Sequence, residues 1–493
     1  MRWSFVLIIS GLLTSGIRAE TKPNILLICV DDLKPILGCY GDKVVKSPNI
    51  DRLAKRGVVF THAYCNQAVC SPSRNALLTG LRSDTLGIYD LPTNFRKSRP
   101  DAITLPQYFK NHGYRTEGLG KIFHVGHGNH EDPASWSVPH FSAKSIGYAL
   151  EENKAAPTRE GALFENKNPA GLARGAAYES AEVADNAYGD GLLAEEAVRR
   201  LKIAAAKPDQ PFFLAVGFLK PHLPFCAPKK YWDLYNPAVF QLATRKDPPL
   251  GAPAYAAQFG GELRNYKNMP ANGPIPEATQ RTLIHGYHAA ISYMDAQLGK
   301  VLDALDAAGL AKNTLIVLWG DHGWHLGDHG IWCKHTNYEQ ATRIPLLISA
   351  PGMAQGISHS MAESVDLYPT LAHLAGLPAP SGLDGTSLAP VLSDPTARVK
   401  DFIFHVYPRG NRLGRAVRTS AHRLVEWKNF GPSSEEAVYE LYDYVKDPQE
   451  SKNLAPEQPE EVARLRAILD KRPPAKAPVR DDGAKQKAKK GKA

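Results

Sequence analysis

Apolar residues occur along this chain in two kinds of run, and their alternation carries the fold. Asn24-Ile-Leu-Leu-Ile-Cys-Val30 is apolar almost without a break and stops at Asp31-Asp32. That pattern fits a strand covered on both faces in a parallel sheet. Residues 211–219, 314–319 and, more briefly, 345–350 repeat it. Between them, 192–206, 277–308 and 364–375 carry the spacing of amphipathic helices, and Ser47-Pro48-Asn49 opens a short helix over 50–56 that Gly57 closes. Strands alternating with helices predict an α/β fold, a mainly parallel central sheet flanked by helices. Residues 128–190 are polar and broken by Gly and Pro, which predicts long surface loops.

After about residue 390 the runs shorten. Segments 402–407, 415–418, 423–427 and 438–444 read as a small antiparallel sheet, followed by a helix over 459–469. The expected division is an export signal at 1–19, a main α/β domain at 22–390, a C-terminal antiparallel-sheet subdomain at 391–472 and a disordered Lys-rich tail at 473–493. Arg2, the apolar stretch 5–13 and Ala19 form the signal pattern. The apolar stretch is too short to span a bilayer, and no later one is long enough. The expectation is an exported protein, periplasmic or secreted (in a lysosome-like compartment if eukaryotic), with no transmembrane segment.

The net charge of +9 would point to a polyanion partner if it were spread over the molecule. It is not. Residues 471–493 hold nine Lys/Arg and two Asp, a net +7, which leaves +2 on the rest of the chain. The body therefore gives no sign of nucleic-acid binding. Six cysteines without CxxC spacing indicate no zinc site; their even number permits disulfides without assigning them, and Cys29, inside an apolar run, reads as a core thiol.

Three clusters carry candidate chemistry. Asp31-Asp32 follows the first strand, and Asp321-His322 follows the strand run 314–319. Ligands of open α/β sheets bind at the carboxyl ends of strands, so the two clusters can meet there. Three carboxylates and an imidazole in one cleft call for a hard divalent cation, calcium or magnesium, and the flexible ligand number favours calcium. The plainer alternative is that each Asp caps a neighbouring turn. The third cluster is Cys70-Ser-Pro-Ser-Arg74, with Ser as cap and Pro early in a helix that continues over 75–81. Cys70 would lie at the positive end of that helix, with Arg74 offering a fork of donors to a tetrahedral oxyanion. A buried structural thiol beside a turn and a thiolate nucleophile both fit these residues.

Cys70-Ser-Pro-Ser-Arg74-Asn-Ala-Leu-Leu-Thr79-Gly80 resembles the C-x-P-S-R-x-x-x-L-T-G signature of the type I sulfatases, in the alkaline-phosphatase-like superfamily. VDDLKPILGCYGD (30–42), SPNID (47–51), GKIFH (120–124), PFFLAVGFLKPHLPF (211–225), DHGWHLGDHGIWCKH (321–335) and SVDLYPTLAHLAGL (364–377) resemble the iduronate branch of that family, in the same order. ELYDYVKDPQESKNL (440–454) is similar to a common sulfatase C-terminal stretch. The resemblance implies that Cys70 is converted by a formylglycine-generating maturation enzyme to an aldehyde. Its hydrate offers one hydroxyl to attack sulfur and a second whose deprotonation expels the sulfate. It implies Asp31, Asp32, residue 70, Asp321 and His322 as calcium ligands, and Arg74 as the group that holds residue 70. It further implies Lys121 and Lys334 on the sulfate oxygens, His124 on the hydrate, and His222 as general acid for the leaving alcohol of a sulfated oligosaccharide desulfated at its end.

His335, where the iduronate branch has a phenol, Trp324 and Arg412 are expected to line the sugar pocket, with Arg409 and Arg415 as further cations for a uronate carboxylate. His127 and His130 fall outside the resemblance and are not assigned to a metal. His325 and His329 are expected to be structural or to face substrate, and Asp328 to be a hydrogen-bonded loop residue. Two other functions remain open from sequence: a phosphonate or phosphate ester hydrolase of the same superfamily, and a non-catalytic sulfated-glycan binding protein.

Overall fold

The structure, a computed structural model, describes residues 22–143, 147–153, 158–257, 261–267, 269–431 and 436–479. The expected export signal at 1–19 lies outside them. The strands in chain order are β1 (Asn24–Val30), β2 (Val58–Tyr64), β3 (Arg115–Gly120), β4 (Tyr178–Ala181), β5 (Phe212–Phe218), β6 (Phe225–Pro228), β7 (Thr314–Gly320), β8 (Leu346–Ser349), β9 (Gly356–Glu363), β10 (Phe402–Arg409), β11 (Arg412–Thr419), β12 (His422–Asn429) and β13 (Val438–Asp443). Seven form one sheet in the order β3-β5-β1-β7-β8-β2-β9, with β8 alone antiparallel to its neighbours.

β1 is central. Its alternating side chains feed two cores: Leu26, Ile28 and Val30 point to one, Ile25, Leu27 and Cys29 to the other. The long helix Glu277–Ala307 covers the first face through Leu283, Tyr287, Ile291 and Met294. The helix Cys70–Thr79 covers the second through Leu77 and Leu78. Each face is thus sealed by helices, which is why β1, β5 and β7 are buried at every position.

β10 to β13 form a four-stranded antiparallel sheet in sequence order. One face carries Val417, Leu424 and Leu441 against Leu465 and Leu469 of the helix Pro459–Leu469. Ala416, Val425 and Trp427 on the other face join the main core.

Three sheet strands were not legible in the pattern. β3 reads Arg-Thr-Glu-Gly-Leu-Gly, β2 carries Thr61 and His62 at its middle, and β9 is a half-exposed edge strand. The region 128–190, expected as loop, also carries the helix Arg159–Phe164 and β4, which pairs with β6. Residues 473–479, expected to be disordered, lie against the segment 84–98, where Lys476 N donates to Asp84 O at 2.8 Å; 480–493 lie outside the described residues. All six cysteines are free thiols. Among the described residues no helix is long and apolar enough to cross a membrane.

Candidate active site

Five parallel strands bring their carboxyl ends to one edge of the sheet, and the functional side chains follow those ends. Asp31 and Asp32 come directly after β1, Lys121 after β3, Lys220 and His222 after β5, and Asp321 and His322 after β7. β2 leads through Cys65 to the helix that begins at Cys70. Register makes these ends level: Val30 pairs with both Phe218 and Gly320. Consecutive residues of a strand point to opposite faces, so Asp31 and Asp32 need a break to share a cleft. Asp32 provides it with φ of 58°, in the left-handed region that Asp tolerates.

The helix start differs from the expected capped form. Cys70 is itself the first helical residue after an extended Val69, and no side chain caps it. Ser73, freed from capping, donates from Oγ to Asp321 O at 2.5 Å and ties the helix to the β7 loop. The helix ends at Thr79, where Gly80 takes φ of 68°.

Arg74 is fully buried and joins the clusters. Its Nε donates to Asp321 Oδ2 at 3.0 Å, its Nη2 to Asp31 Oδ1 at 3.4 Å, and its Nη1 to the carbonyls of Lys121 and Ile122. Lys121 Nζ pairs with Asp31 and lies 3.7 Å from Cys70 Sγ. Lys334 Nζ pairs with Asp32 at 2.9 Å and with Glu262 at 3.0 Å. Cys70 Sγ sits 3.3 Å from His322 Nε2 and 3.5 Å from Asp31 Oδ1.

Donor atoms of Asp31, Cys70, Asp321 and His322, all buried, lie within 4.8 Å of one another, and Asp32, Cys70 and His222 form a second such group. Burial pushes the Asp32 and Asp321 carboxyls up to about 7, with neighbouring Asp31 adding to the repulsion, while Lys334 and Arg74 oppose it. Asp31 is held well below the usual range despite burial, by Lys121, His222 and Arg74. So crowded a carboxylate set fits a hard divalent cation, and one donor is mismatched: the soft sulfur of Cys70. An oxygen-bearing side chain at position 70 would leave oxygen donors with the single imidazole of His322. Burial and then Asp31 raise the Cys70 thiol well above its ordinary value, so these surroundings do not by themselves activate a thiolate.

The cleft opens into a cavity of about 380 Å³ lined by Cys70, Leu91, His124, His127, Phe164, His222, Lys334 and His335, with Arg159, Glu262 and Asn265. His222 Nδ1 lies 2.6 Å from Leu223 O, so Nδ1 carries the hydrogen and Nε2 faces Glu262 at 3.4 Å. Burial and then Lys334 lower His222 to about 4, against the pull of Glu262. His124 Nε2 contacts His127 Nδ1 at 3.2 Å, and its buried Nδ1 has no partner among the described atoms.

Four expected pocket residues lie elsewhere. Trp324 is 1 % exposed, packed on Phe225 with Lys334 Nζ 5.0 Å above its ring, so it supports the lysine from beneath. Arg412 lies over the Tyr255 ring at 5.3 Å, and Arg415 donates to Pro473 O. Arg409 stacks on Tyr407 and donates to His335 O at 2.5 Å, so it braces the pocket from behind. Besides Lys334, Arg159 lines the cavity, beside Phe164, whose ring stands 5.7 Å from that of His222. Both belong to the aperiodic 128–190 stretch, where no pattern singled them out. Glu262 was equally silent in sequence. His325 is buried with Nε2 on Thr336 Oγ1, His329 packs on Tyr338, and Asp328 accepts from Leu326 N.

A family profile described as Sulfatase matches residues 23–377, and one described as N-sulphoglucosamine sulphohydrolase, C-terminal, matches 327–472. The chain is 40% identical over 400 residues to iduronate 2-sulfatase of Mus musculus, covering 74% of this chain and 71% of that protein. A protein solved in complex with its substrate D-glucosamine-2-N,6-O-disulfate superposes with a TM-score of 0.71 at 21% identity, over 91% of this chain and 97% of the other. The phosphonate monoester hydrolase of Silicibacter pomeroyi superposes with a TM-score of 0.73 at 22% identity, over 91% and 94%. At that identity the last two show a shared fold and nothing finer.

Proposed function

The chain belongs to the sulfatase family and is a sulfuric ester hydrolase, and from that premise we propose that it removes sulfate from the end of a sulfated glycan, at a 2-O-sulfated uronic acid, with formylglycine at position 70 and calcium beside it. The observation that carries this reading is the convergence on Cys70 of three buried carboxylates, His322, Lys121 and Lys334. The uronate rests on the mouse relative's name and on Arg159, a cation in the cavity wall able to meet a carboxylate. End-on action fits a cavity of about 380 Å³, the size of a small-molecule site.

Calcium, when bound, would polarise the sulfate and favour the ionised form of the residue-70 hydroxyl. Asp31, Asp32, Asp321 and His322 would hold it. Lys121 and Lys334, beside residue 70, would bind the sulfate oxygens, where negative charge builds in the transition state. Arg74 fixes residue 70 by tying its helix to Asp31 and Asp321. His222, its Nδ1 hydrogen tethered to Leu223 O, presents Nε2 to the departing sugar oxygen, and the arriving sulfate charge raises its proton affinity. His124, with an open Nδ1, takes the proton released when the second hydroxyl collapses. Maturation and work in an exported compartment belong to the same proposal.

Mass spectrometry of the tryptic peptide 57–74, from a host that makes formylglycine, tests it. An aldehyde mass at Cys70 is expected, and a persistent thiol under those conditions overturns the mechanism. Because the fold is shared with a phosphonate hydrolase, kcat/KM on aryl sulfate should be compared with aryl phosphonate; a preference for phosphonate would overturn the substrate class.

A further inference from the structure

We propose that His127 is the outlet for the proton that His124 removes from residue 70: it holds His124 in one tautomer and passes the hydrogen on to water in the cavity. The inference rests on the sulfatase reading of the cavity. His127 touches no reacting atom itself and acts through His124, as a positioning residue.

The pairing is built into the backbone. His127 has φ of 56°, in the left-handed region that a side chain of this size seldom adopts. Its surroundings enforce that conformation. His127 N donates to Leu163 O at 2.9 Å, and Gly128 N donates to Asn166 Oδ1 at 2.6 Å. Gly126 and Asn129 exchange backbone hydrogen bonds at 3.2 and 2.8 Å. Gly126 is required there, because a Cβ would stand 2.8 Å from Phe164 Cα. Asn129 Nδ2 donates to Ser71 Oγ at 3.2 Å, which joins the loop to the residue after Cys70. So fixed, His127 sets Nδ1 3.2 Å from His124 Nε2, with ring centres 5.3 Å and ring planes 26° apart. The two nitrogens therefore face each other edge to edge, as an N–H···N hydrogen bond requires. The Phe164 ring, 5.6 Å away, closes one side of His127.

His124 needs such an outlet. It is 3 % exposed, and its Nδ1 has no partner among the described atoms. With Nε2 engaged by His127, Nδ1 is the nitrogen free to take a proton. A proton taken there does not stay. Burial and then Lys121 hold His124 well below the ordinary imidazole value, and the same two causes bring His127 to about 4. Neither ring stores the charge, so the hydrogen passes through both. His127, less buried, lines the cavity, and its second nitrogen is left for exchange with water there.

When sulfate leaves residue 70, the C–O bond to it breaks and its electrons go with the sulfate. The oxygen of the second hydroxyl closes to C=O, and its hydrogen goes to His124 Nδ1. The Nε2 hydrogen of His124 moves to His127 Nδ1, and the Nε2 hydrogen of His127 moves to cavity water. Addition of water to the aldehyde runs the chain backwards. His124 Nδ1 protonates the aldehyde oxygen, His127 Nδ1 returns its hydrogen to His124, and His127 Nε2 takes up, through cavity water, the proton that the added water loses. Each turnover thus resets both tautomers.

The test uses the matured full chain and two variants that tolerate the left-handed backbone, His127→Asn and His127→Gly. Release of phenol from an aryl sulfate is followed from the first turnover. The phenol leaves before the relay acts, so kcat/KM should stay within about twofold of the parent. By contrast kcat should fall about a hundredfold, the lower end of what proton transfer by a placed side chain contributes. A burst of one phenol per enzyme should precede the slow phase, and added imidazole should restore kcat of His127→Gly. Unchanged kcat in both variants would overturn the relay. Loss of kcat and kcat/KM together without a burst would overturn it too, since His127 would then serve the fold or the attack on sulfur. A raised KM with kcat intact would overturn it in favour of a sugar contact. A parent chain that carries the aldehyde at residue 70 yet cleaves no sulfate ester would refute the reading of the cavity, and the relay with it.

Discussion

Arg74 has no exposed atom, yet it is ionised, because Asp31 and Asp321 flank it and two carbonyls take its remaining donors. Arg74→Lys keeps the charge but not the fork, leaving a buried carboxylate and the Lys121 carbonyl short of partners. It should cost about 3–5 kcal/mol of stability, read by denaturant unfolding, and lower kcat at least about a hundredfold as residue 70 loses its alignment. Lys334→Gln should lower kcat by about 10²–10³, the scale of losing one transition-state donor, with the mass of peptide 57–74 unchanged. A variant that also failed to mature would show that Lys334 serves the fold. The sequence marked both residues, Arg74 within the motif at Cys70 and Lys334 through the resemblance of the stretch 321–335. It could not mark Glu262 or Arg159, which lie in stretches without periodicity and reach the cavity only through long-range packing. It also misplaced Trp324, whose nearness in sequence to Asp321-His322 does not set which way its ring packs.

Strand geometry sets how closely these side chains approach. Gly217 of β5 has no room for a Cβ, which would stand 2.2 Å from Lys121 O, the carbonyl that also accepts from Arg74. Gly217→Ala should therefore displace Lys121 and lower activity by more than the substitution's usual cost in a strand; normal kcat would refute the link. The C-terminal sheet is joined to the main body by Glu339, which accepts from Arg418 of β11 at 3.2 Å and from Tyr64 of β2 at 2.9 Å. Burial alone would raise its carboxyl, but Arg418 and Arg423 bring it down to about 2. A lowered folded value means stability that is complete above the ordinary Glu range near 4.3 and lost as pH falls toward about 2. Glu339→Gln should thus destabilise by on the order of 2–3 kcal/mol at pH 7, with the difference from the parent chain shrinking below about pH 4. A pH-independent difference in melting temperature would contradict this. The small sheet was legible from short alternating runs between turns, but its tie to the body was not, because Glu339 and Arg418 are 79 residues apart.

At the scale of the molecule, the crowded carboxylates make folding and cation binding one equilibrium. A ligand that binds only the folded state stabilises it by about 2.7 kcal/mol at a hundredfold excess over Kd. Calcium should accordingly raise the melting temperature of the chelator-treated protein, and Asp321→Asn should abolish most of that rise. An unchanged melting temperature on adding calcium would count against the cation site. Magnesium in place of calcium tests the preference that the flexible donor set predicts.

The α/β class, the existence of the central strands β1, β5 and β7, the C-terminal sheet and the motif residues around Cys70 were determined by local sequence. Each depends on periodicity or on spacing within a few residues, which the chain states directly. The polar strands β2, β3 and β9, the cavity wall from 128–190, the Glu262 contacts and the docking of 473–479 beside Leu91 were decided only in three dimensions. Their residues are held by partners far away in the chain, so no local pattern distinguishes them from loop. The thiol at position 70 shows the division most plainly: its place at a helix start suggested a thiolate, and the burial and the Asp31 charge that raise its pKa come entirely from the folded sheet.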